Sequence, residues 1–127
     1  MIKILIKSAS RYPVNRKRIR EKIRRFLQTK GLIQEVEVSL SFVGDRKMKK
    51  LNSRYRKKRE TTDVLSFSLT EGEISFPENE NNILRLGDIV ISYPQARKQA
   101  GQYNILVDEE IDKLVEHGLM HLLGIHH

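Results

Sequence analysis

Glu35–Val43 reads EVEVSLSFV, and this stretch decides the fold class. Apolar side chains occupy every second position with glutamates and serines between them, which is the pattern of a β-strand that buries one face. The neighbouring stretches carry apolar residues at helical spacing, so we expect helices to cover that buried face. The sequence therefore predicts an α+β fold.

Three more strands are predicted from short β-branched and apolar runs at Ile2–Ile6, Asp63–Leu69 and Leu86–Ser92. In the second of these, Val64 and Leu65 are apolar enough to indicate a central place in the sheet. Residues 71–82 are acidic and polar and contain glycine and proline, which is typical of a loop.

Four helices are predicted from apolar residues at helical spacing and from residues that begin or end helices. The predicted N-caps are Asn15, Asp45 and Asp108, for the first, second and fourth helices. Pro94 suits the first turn of the third helix, and Gly101 is predicted to end it. We therefore expect residues 1–127 to form a single domain, with about four strands in a mostly mixed sheet packed with about four helices.

The net charge of +8 is divided unevenly along the chain. Residues 1–60 hold 20 Lys and Arg against 5 Asp and Glu, whereas residues 61–127 hold 4 against 11. A basic half of this kind favours a polyanionic partner, because each phosphate that a lysine or arginine neutralises releases counterions. Solvated charged helix faces are the simpler explanation for any one run, but several runs in one half favour nucleic acid as a partner.

Cysteine is absent, which excludes disulfides, thiolate metal sites and cysteine nucleophiles. Apolar runs fall short of membrane-spanning length, and the N-terminal run is interrupted by lysines. These features predict a soluble, cytoplasmic protein that has no membrane partner.

All four histidines lie in the last eleven residues, which read HGLMHLLGIHH. His117 and His121 are four residues apart and share one face of a helix, so that both imidazoles can bind one metal ion. Gly118 between them costs a helix about 1 kcal/mol relative to alanine, and we expect the compensation to be close approach of another backbone. Gly124 is predicted to end the helix, and a turn after it would bring His127 toward the pair. Three imidazoles without a fourth protein ligand leave a position open for water, as in catalytic zinc sites.

The same histidine spacing occurs in metzincin proteases, which place a glutamate directly after the first histidine as general base. Gly118 occupies that position in this chain. Peptide hydrolysis therefore ranks below other metal-assisted hydrolysis.

Three blocks of the sequence resemble the YbeY-type bacterial endoribonucleases of ribosomal RNA maturation. The last eleven residues are similar to that family's motif His-Gly-x-Leu-His-Leu-x-Gly-Tyr-Asp-His. The other two blocks are Leu51–Arg56 followed by Thr62–Phe67, reading LNSRYR and TDVLSF, and Leu86–Ile89, reading LGDI. His126 stands where the family has aspartate, and Thr61 where proline is usual.

The resemblance implies one zinc ion held by His117, His121 and His127, with Arg56 contacting phosphate at the mouth of a cleft. The catalytic set it implies is Arg56, His117 and His121, and the residues expected to bind RNA are Arg54, Arg56, Lys57 and Lys58. The implied function is zinc-dependent cleavage of single-stranded RNA in 16S rRNA 3′ end processing and ribosome quality control, with ribosomal RNA or ribosomal particles and not DNA as partner.

Other residues and functions stay open from the sequence. Asp63 and Asp88 are each predicted either to line the site or to serve in a turn, and Ser66 is interpreted as structural. One alternative function is a non-catalytic module that binds RNA or ribosomes, whose structural zinc takes a fourth ligand from His126 or from the terminal carboxylate. Another is metal-dependent hydrolysis of a substrate other than RNA.

Overall fold

The structure is a computed structural model that describes residues 2–32, 35–56, 62–68 and 83–124. Its elements, in chain order, are β1 (Ile2–Ser8), α1 (Arg16–Thr29), β2 (Glu35–Val43), α2 (Asp45–Arg56), β3 (Val64–Ser68), β4 (Ile83–Ser92), α3 (Tyr93–Tyr103) and α4 (Val107–Leu122). The predicted loop over residues 71–82 lies outside the described residues. The predicted α+β class is confirmed.

The four strands form one mixed sheet in the order β1-β2-β4-β3. Strands β1, β2 and β4 run parallel, and β3 is antiparallel to β4. The predicted central place of β3 is wrong, because β4 follows β3 in the chain but lies between β2 and β3 in the sheet. The strand is nevertheless apolar on both faces, since Val64 packs in the core on one side and Leu65 in a separate cluster on the other.

Helices cover the sheet unequally. The larger core lies on one face, where α1, α3 and α4 pack against β1, β2 and β4 through side chains such as Ile23, Leu40 and Leu119. The smaller core lies on the other face, where Met48 of α2 packs against Val43, Leu65 and Val90. The chain therefore leaves β1 toward one face of the sheet and β2 toward the other.

A β-bulge interrupts the pairing of β2 with β4. Glu37 pairs with Arg85 and the next residue, Val38, pairs with Gly87, so one residue of β4 has no counterpart. Gly87 has φ 139°, and a Cβ there would lie 2.1 Å from the carbonyl oxygen of Phe67. Only glycine fits a backbone that bulges this close to β3.

Helix boundaries test the predicted caps. Asn15 caps α1 as predicted, its side chain accepting from the Arg18 N–H at 3.1 Å. Asp45 is the first residue of α2 and not its N-cap. Gly101 lies inside α3, which ends at Asn104 in the left-handed conformation with φ 56°.

The fourth helix also begins before its predicted cap. Leu106 is the N-cap of α4 and Asp108 lies within the first turn. The carboxylate of Glu109 accepts from the Leu106 N–H at 3.0 Å, which satisfies one of the donors that a helix start leaves unpaired. Among the helices that the structure describes, none has the length and hydropathy to span a bilayer.

Candidate metal centre

His117 and His121 project from α4 side by side, as their spacing predicts. Their Nε2 atoms are 3.1 Å apart and their ring centroids 4.6 Å apart. Two nitrogens that each lie 2.0–2.1 Å from a tetrahedral zinc ion would be separated by about 3.3 Å. Both side chains are exposed, so a metal ion bound between them would be open to substrate. The pair therefore fits a zinc site as two of its ligands.

Gly118 determines how closely α4 approaches the sheet. A Cβ at this position would lie 2.8 Å from Cγ2 and 3.1 Å from Cδ1 of Ile89 in β4. The neighbour is a side chain, so the prediction of a close backbone is wrong, although the packing at Gly118 is tight. Leu119 and Leu122 are fully buried on the same side of α4. Because this side faces the sheet, the two histidines lie at the edge where α4 meets β3.

The histidines line a cleft of about 480 Å³ whose other wall is the edge strand β3 and the two residues before it. Asp63 carries the one carboxylate among the described residues that line this cleft. Its Oδ2 accepts from Gln99 Nε2 at 3.2 Å, and its main-chain carbonyl accepts from the Ser92 N–H at 2.9 Å. These contacts with α3 and β4 fix Asp63 at the wall of the histidine cleft, one of the two places that the sequence allowed for it.

Ser66 is a cleft residue that sequence reasoning missed. It lines the same cleft and lies on the same side of β3 as Val64, two residues earlier. Strand alternation alone indicates that the two residues share a face, but it does not indicate that this face looks toward the histidines. Asp88 lies elsewhere, on the opposite face of the sheet, where its carboxylate accepts from the Ser39 hydroxyl.

Gly124 ends the last helix as predicted. It has φ 75°, and its N–H donates to the carbonyl of His121 at 3.1 Å. His126 and His127 lie outside the described residues. Within the described ranges, no group of three potential metal-ligating side chains comes together. The third zinc ligand, His127, therefore stays a prediction.

The residues predicted to bind RNA lie at or beyond the end of α2. Arg54 is exposed on that helix and lines a shallow surface depression with Arg46, Lys49 and Lys50, not the histidine cleft. Arg56 is the last residue of α2, and its side chain lies outside the described residues, as do Lys57 and Lys58. Their roles at the cleft stay predictions.

The basic half of the chain is in part neutralised by the acidic half. Arg18 of α1 donates to Asp112 of α4 through Nε at 3.1 Å and Nη2 at 2.8 Å. The hydrogen bond and the charge of Asp112 raise the pKa of Arg18, which stays protonated throughout the biological range. One turn further along both helices, Lys22 pairs with Glu116 at 3.1 Å. Two cations of α1 thus connect it to the helix that carries the histidines.

The chain resembles known proteins over nearly its whole length. Residues 5–127 match the family described as Endoribonuclease YbeY. An Endoribonuclease YbeY of Desulforamulus reducens is 46% identical over 101 residues, which cover 80% of this chain and 65% of that protein. One of Syntrophus aciditrophicus is 40% identical over 114 residues, covering 90% and 68%. The chain therefore spans 65%, less than two thirds, of the length of the Desulforamulus reducens protein.

A solved structure agrees with the fold. The solution structure of a Thermotoga maritima protein superimposes with a TM-score of 0.62 at 25% sequence identity. The match covers 98% of this chain and 73% of that one. The four-stranded sheet and its four helices are therefore shared with a relative of known structure.

Proposed function

Because this chain belongs to the YbeY family, we propose that it is a metal-dependent endoribonuclease that cleaves single-stranded RNA. The observation that carries the proposal is the 3.1 Å approach of the Nε2 atoms of His117 and His121 in a cleft open to solvent. The relatives that match over most of this chain bear the name endoribonuclease. Residues 1–127 act in this proposal as a single hydrolase domain.

The donor set suits zinc, with His117, His121 and His127 holding one ion. Such an ion would supply a Lewis acid for the scissile phosphate and a means of activating water at neutral pH. Both described histidines must be neutral to serve as ligands. Their exposed position on α4 leaves the side toward β3 free for the substrate.

Asp63 is the residue we assign to proton transfer in this cleft. Its carboxylate is the one acid that lines the described cleft, and the Gln99 amide occupies Oδ2 at 3.2 Å. The hydrogen bond orients the carboxylate, whose other oxygen is in reach of the Thr62 hydroxyl at 3.5 Å. An oriented carboxylate in a cleft is a suitable acceptor for the proton of an attacking water or of a 2′-hydroxyl.

The substrate we propose is ribosomal RNA, within 16S rRNA 3′ end processing and ribosome quality control in the cytoplasm. This finer assignment depends on the family resemblance and on the basic half of the chain. Arg56, with Arg54, Lys57 and Lys58 near it in the sequence, would hold phosphates close to the cleft.

An RNA cleavage assay with metal analysis tests the function. The zinc-loaded protein is compared with chelator-treated protein and with His121→Ala, and the zinc content of each is measured. We expect chelation and His121→Ala to abolish cleavage together with bound zinc, because the variant loses one of the three proposed ligands and the two remaining imidazoles hold the ion too weakly. Lys113→Ala is the matched control, since Lys113 is exposed on the same helix and absent from the cleft.

Asp63→Asn separates proton transfer from metal binding in the same assay. We expect it to reduce cleavage about 100-fold, the lower end of what general base catalysis contributes, with zinc content unchanged. Asp88→Asn should leave cleavage intact, because Asp88 lies on the opposite face of the sheet. Equal cleavage by zinc-loaded and zinc-free protein would refute metal dependence, whereas RNA binding without cleavage by the zinc-loaded protein would favour an RNA-binding module.

A further inference from the structure

A second cleft opens where the first two parallel strands end. Ser8 of β1 pairs with Phe42 of β2, so both strands finish at the same edge of the sheet. From there the chain turns to α1 on one face and to α2 on the other. In open sheets, this divergence leaves a crevice outside the carboxyl ends of the strands, where ligands bind. Here the crevice has a volume of about 770 Å³.

The walls of this strand-end cleft are held in place by packing. Tyr12, from the segment after β1, stacks on Tyr93 with ring centroids 5.1 Å apart, and the Arg11 guanidinium lies 5.1 Å from the Tyr12 ring centroid. On the opposite wall, a Cβ at Gly44 would lie 2.6 Å from the Tyr12 hydroxyl oxygen. The two walls thus meet at Gly44, and contacts between protein residues shape the cleft.

The lining is strongly cationic. Arg11, Arg46, Lys47 and Lys50 line the cleft, and all four are exposed. None of them belongs to an ion pair among the residues that the structure describes. Asp45 is the one carboxylate among the described residues of the lining. It accepts from Ser92 Oγ at 2.9 Å and Gln95 Nε2 at 3.2 Å, so it faces the start of α3.

We propose that the strand-end cleft is a second phosphate-binding site, which holds an internal phosphate of the RNA chain away from the histidines. The identity of the polyanion rests on the proposed function. Arginine and lysine together provide a planar donor fork and a mobile point charge, the two groups that recognise phosphate in proteins.

The helix α2 connects this site to the residues predicted at the histidine cleft. Arg46 and Arg56 are ten residues apart in α2, which corresponds to about 15 Å along the helix axis. At about 3.4 Å per stacked nucleotide, that distance spans roughly four nucleotides. An RNA strand that follows the exposed face of α2 would place one phosphate in the strand-end cleft while another lies at the end of the helix.

The test is the salt dependence of RNA binding, measured by fluorescence anisotropy with a labelled uridine dodecamer. Every protein carries His121→Ala so that the RNA stays intact. Lys47→Gln with Lys50→Gln should remove two phosphate contacts, each worth about 0.7 in the slope of log affinity against log salt for single strands. Between 50 and 200 mM salt, the affinity of this variant should therefore fall about sevenfold less than that of its parent.

A matched double variant on α1 is the control. Lys17 and Arg24 are exposed on that helix and lie outside the strand-end cleft. Lys17→Gln with Arg24→Gln removes the same charge as the variant of the strand-end cleft. An equal change of slope in both double variants would show that net charge alone explains the effect, and it would overturn the proposed site. An unchanged slope in Lys47→Gln with Lys50→Gln would overturn it as well.

A terminal phosphate is distinguished from an internal one by dodecamers with a 5′-hydroxyl or a 5′-phosphate. Equal loss of affinity for both in Lys47→Gln with Lys50→Gln supports an internal phosphate, whereas loss confined to the 5′-phosphorylated RNA overturns the backbone assignment. This assay measures binding and does not depend on cleavage. If the slope difference is observed but the zinc-loaded protein does not cleave RNA, the proposed nuclease is refuted and the proposed phosphate site is not.

Discussion

The two basic helices α1 and α2 look equivalent in the sequence but differ in the fold. α1 directs Arg18 and Lys22 at carboxylates of α4, at 2.8 and 3.1 Å. On α2, the cations Arg46, Lys47, Lys49 and Lys50 form none of the ion pairs between described residues. The first helix uses part of its charge to contact another helix, whereas the second presents its charge to solvent.

The difference shows that formal charge overstates the field that a ligand meets. The excess of cations in residues 1–60 is partly matched by acidic side chains of α4, which lie in the other half of the chain. On α2, by contrast, Lys47 and Lys50 line the strand-end cleft and form none of the described ion pairs. We therefore expect RNA binding to depend on α2 more than on α1.

The largest expected effect comes from moving α4, which supplies the carboxylates that contact α1. In Gly118→Val the new side chain would overlap Ile89, whose Cγ2 lies 2.8 Å from the Cβ position. Overpacking of this kind should lower the free energy of unfolding by about 2–3 kcal/mol. It should also lower zinc content, because His117 precedes the displaced residue. Urea denaturation and metal analysis measure both.

Gly101→Ala is the control for that substitution. Gly101 lies inside α3, and a Cβ there would meet nothing within 4 Å. Alanine should therefore raise the free energy of unfolding by about 0.5–1 kcal/mol. If Gly118→Val were as stable as the parent protein, the close packing of α4 on the sheet would not be what positions the histidines and the carboxylates.

A smaller effect is expected from making α1 resemble α2. Asp112→Asn removes the carboxylate that binds Arg18 and frees one guanidinium on the surface. If the ion pair prevents Arg18 from binding a phosphate of the RNA, its loss should add one phosphate contact. The slope of log affinity against log salt should then increase by about 0.7. Affinity for the dodecamer would then fall about 2.6-fold more steeply between 50 and 200 mM salt.

Asp108→Asn is the control for the loss of negative charge. Asp108 lies in the first turn of the same helix and forms none of the described ion pairs. An equal increase of slope in Asp108→Asn would mean that net charge explains the change. No increase in Asp112→Asn would mean that α1 lies away from the path of the RNA.

Local sequence patterns predicted the helices and strands. The order of the strands in the sheet depends on pairing between distant residues, which such patterns do not reveal. The alternation in Glu35–Val43 and the spacing of His117 and His121 are local, so β2 and the histidine pair were predicted correctly. β3 was misplaced because a strand covered by helices on both faces has the composition of a central strand, even at the sheet edge.

Contacts between the elements and the candidate site show the same division between local and distant information. Arg18 and Asp112 are 94 residues apart, so nothing in the sequence marks them as partners. Asp45 is a residue type that favours the N-cap, yet it lies inside α2. Its side chain there contacts Ser92 and Gln95, which are 47 and 50 residues away in the sequence. Sequence spacing indicated the chemistry of the histidines, but the carboxylate and the serine that face them depended on the fold.

The smallest effect is expected from the second ion pair of α1. Lys22 and Glu116 are each partly exposed, at 33% and 44% of the side chain, so solvent screens much of their attraction. Lys22→Gln should lower the free energy of unfolding by about 0.5 kcal/mol at low salt and by less at 1 M salt, where the Debye length is about 3 Å.

Lys17→Gln, which removes a lysine of α1 that forms none of the described ion pairs, should change neither value. Urea denaturation at both salt concentrations provides the measurement. A loss that persisted at 1 M salt would indicate that the lysine stem stabilises α1 by packing, and the contrast between the two helices would then depend on Arg18 alone.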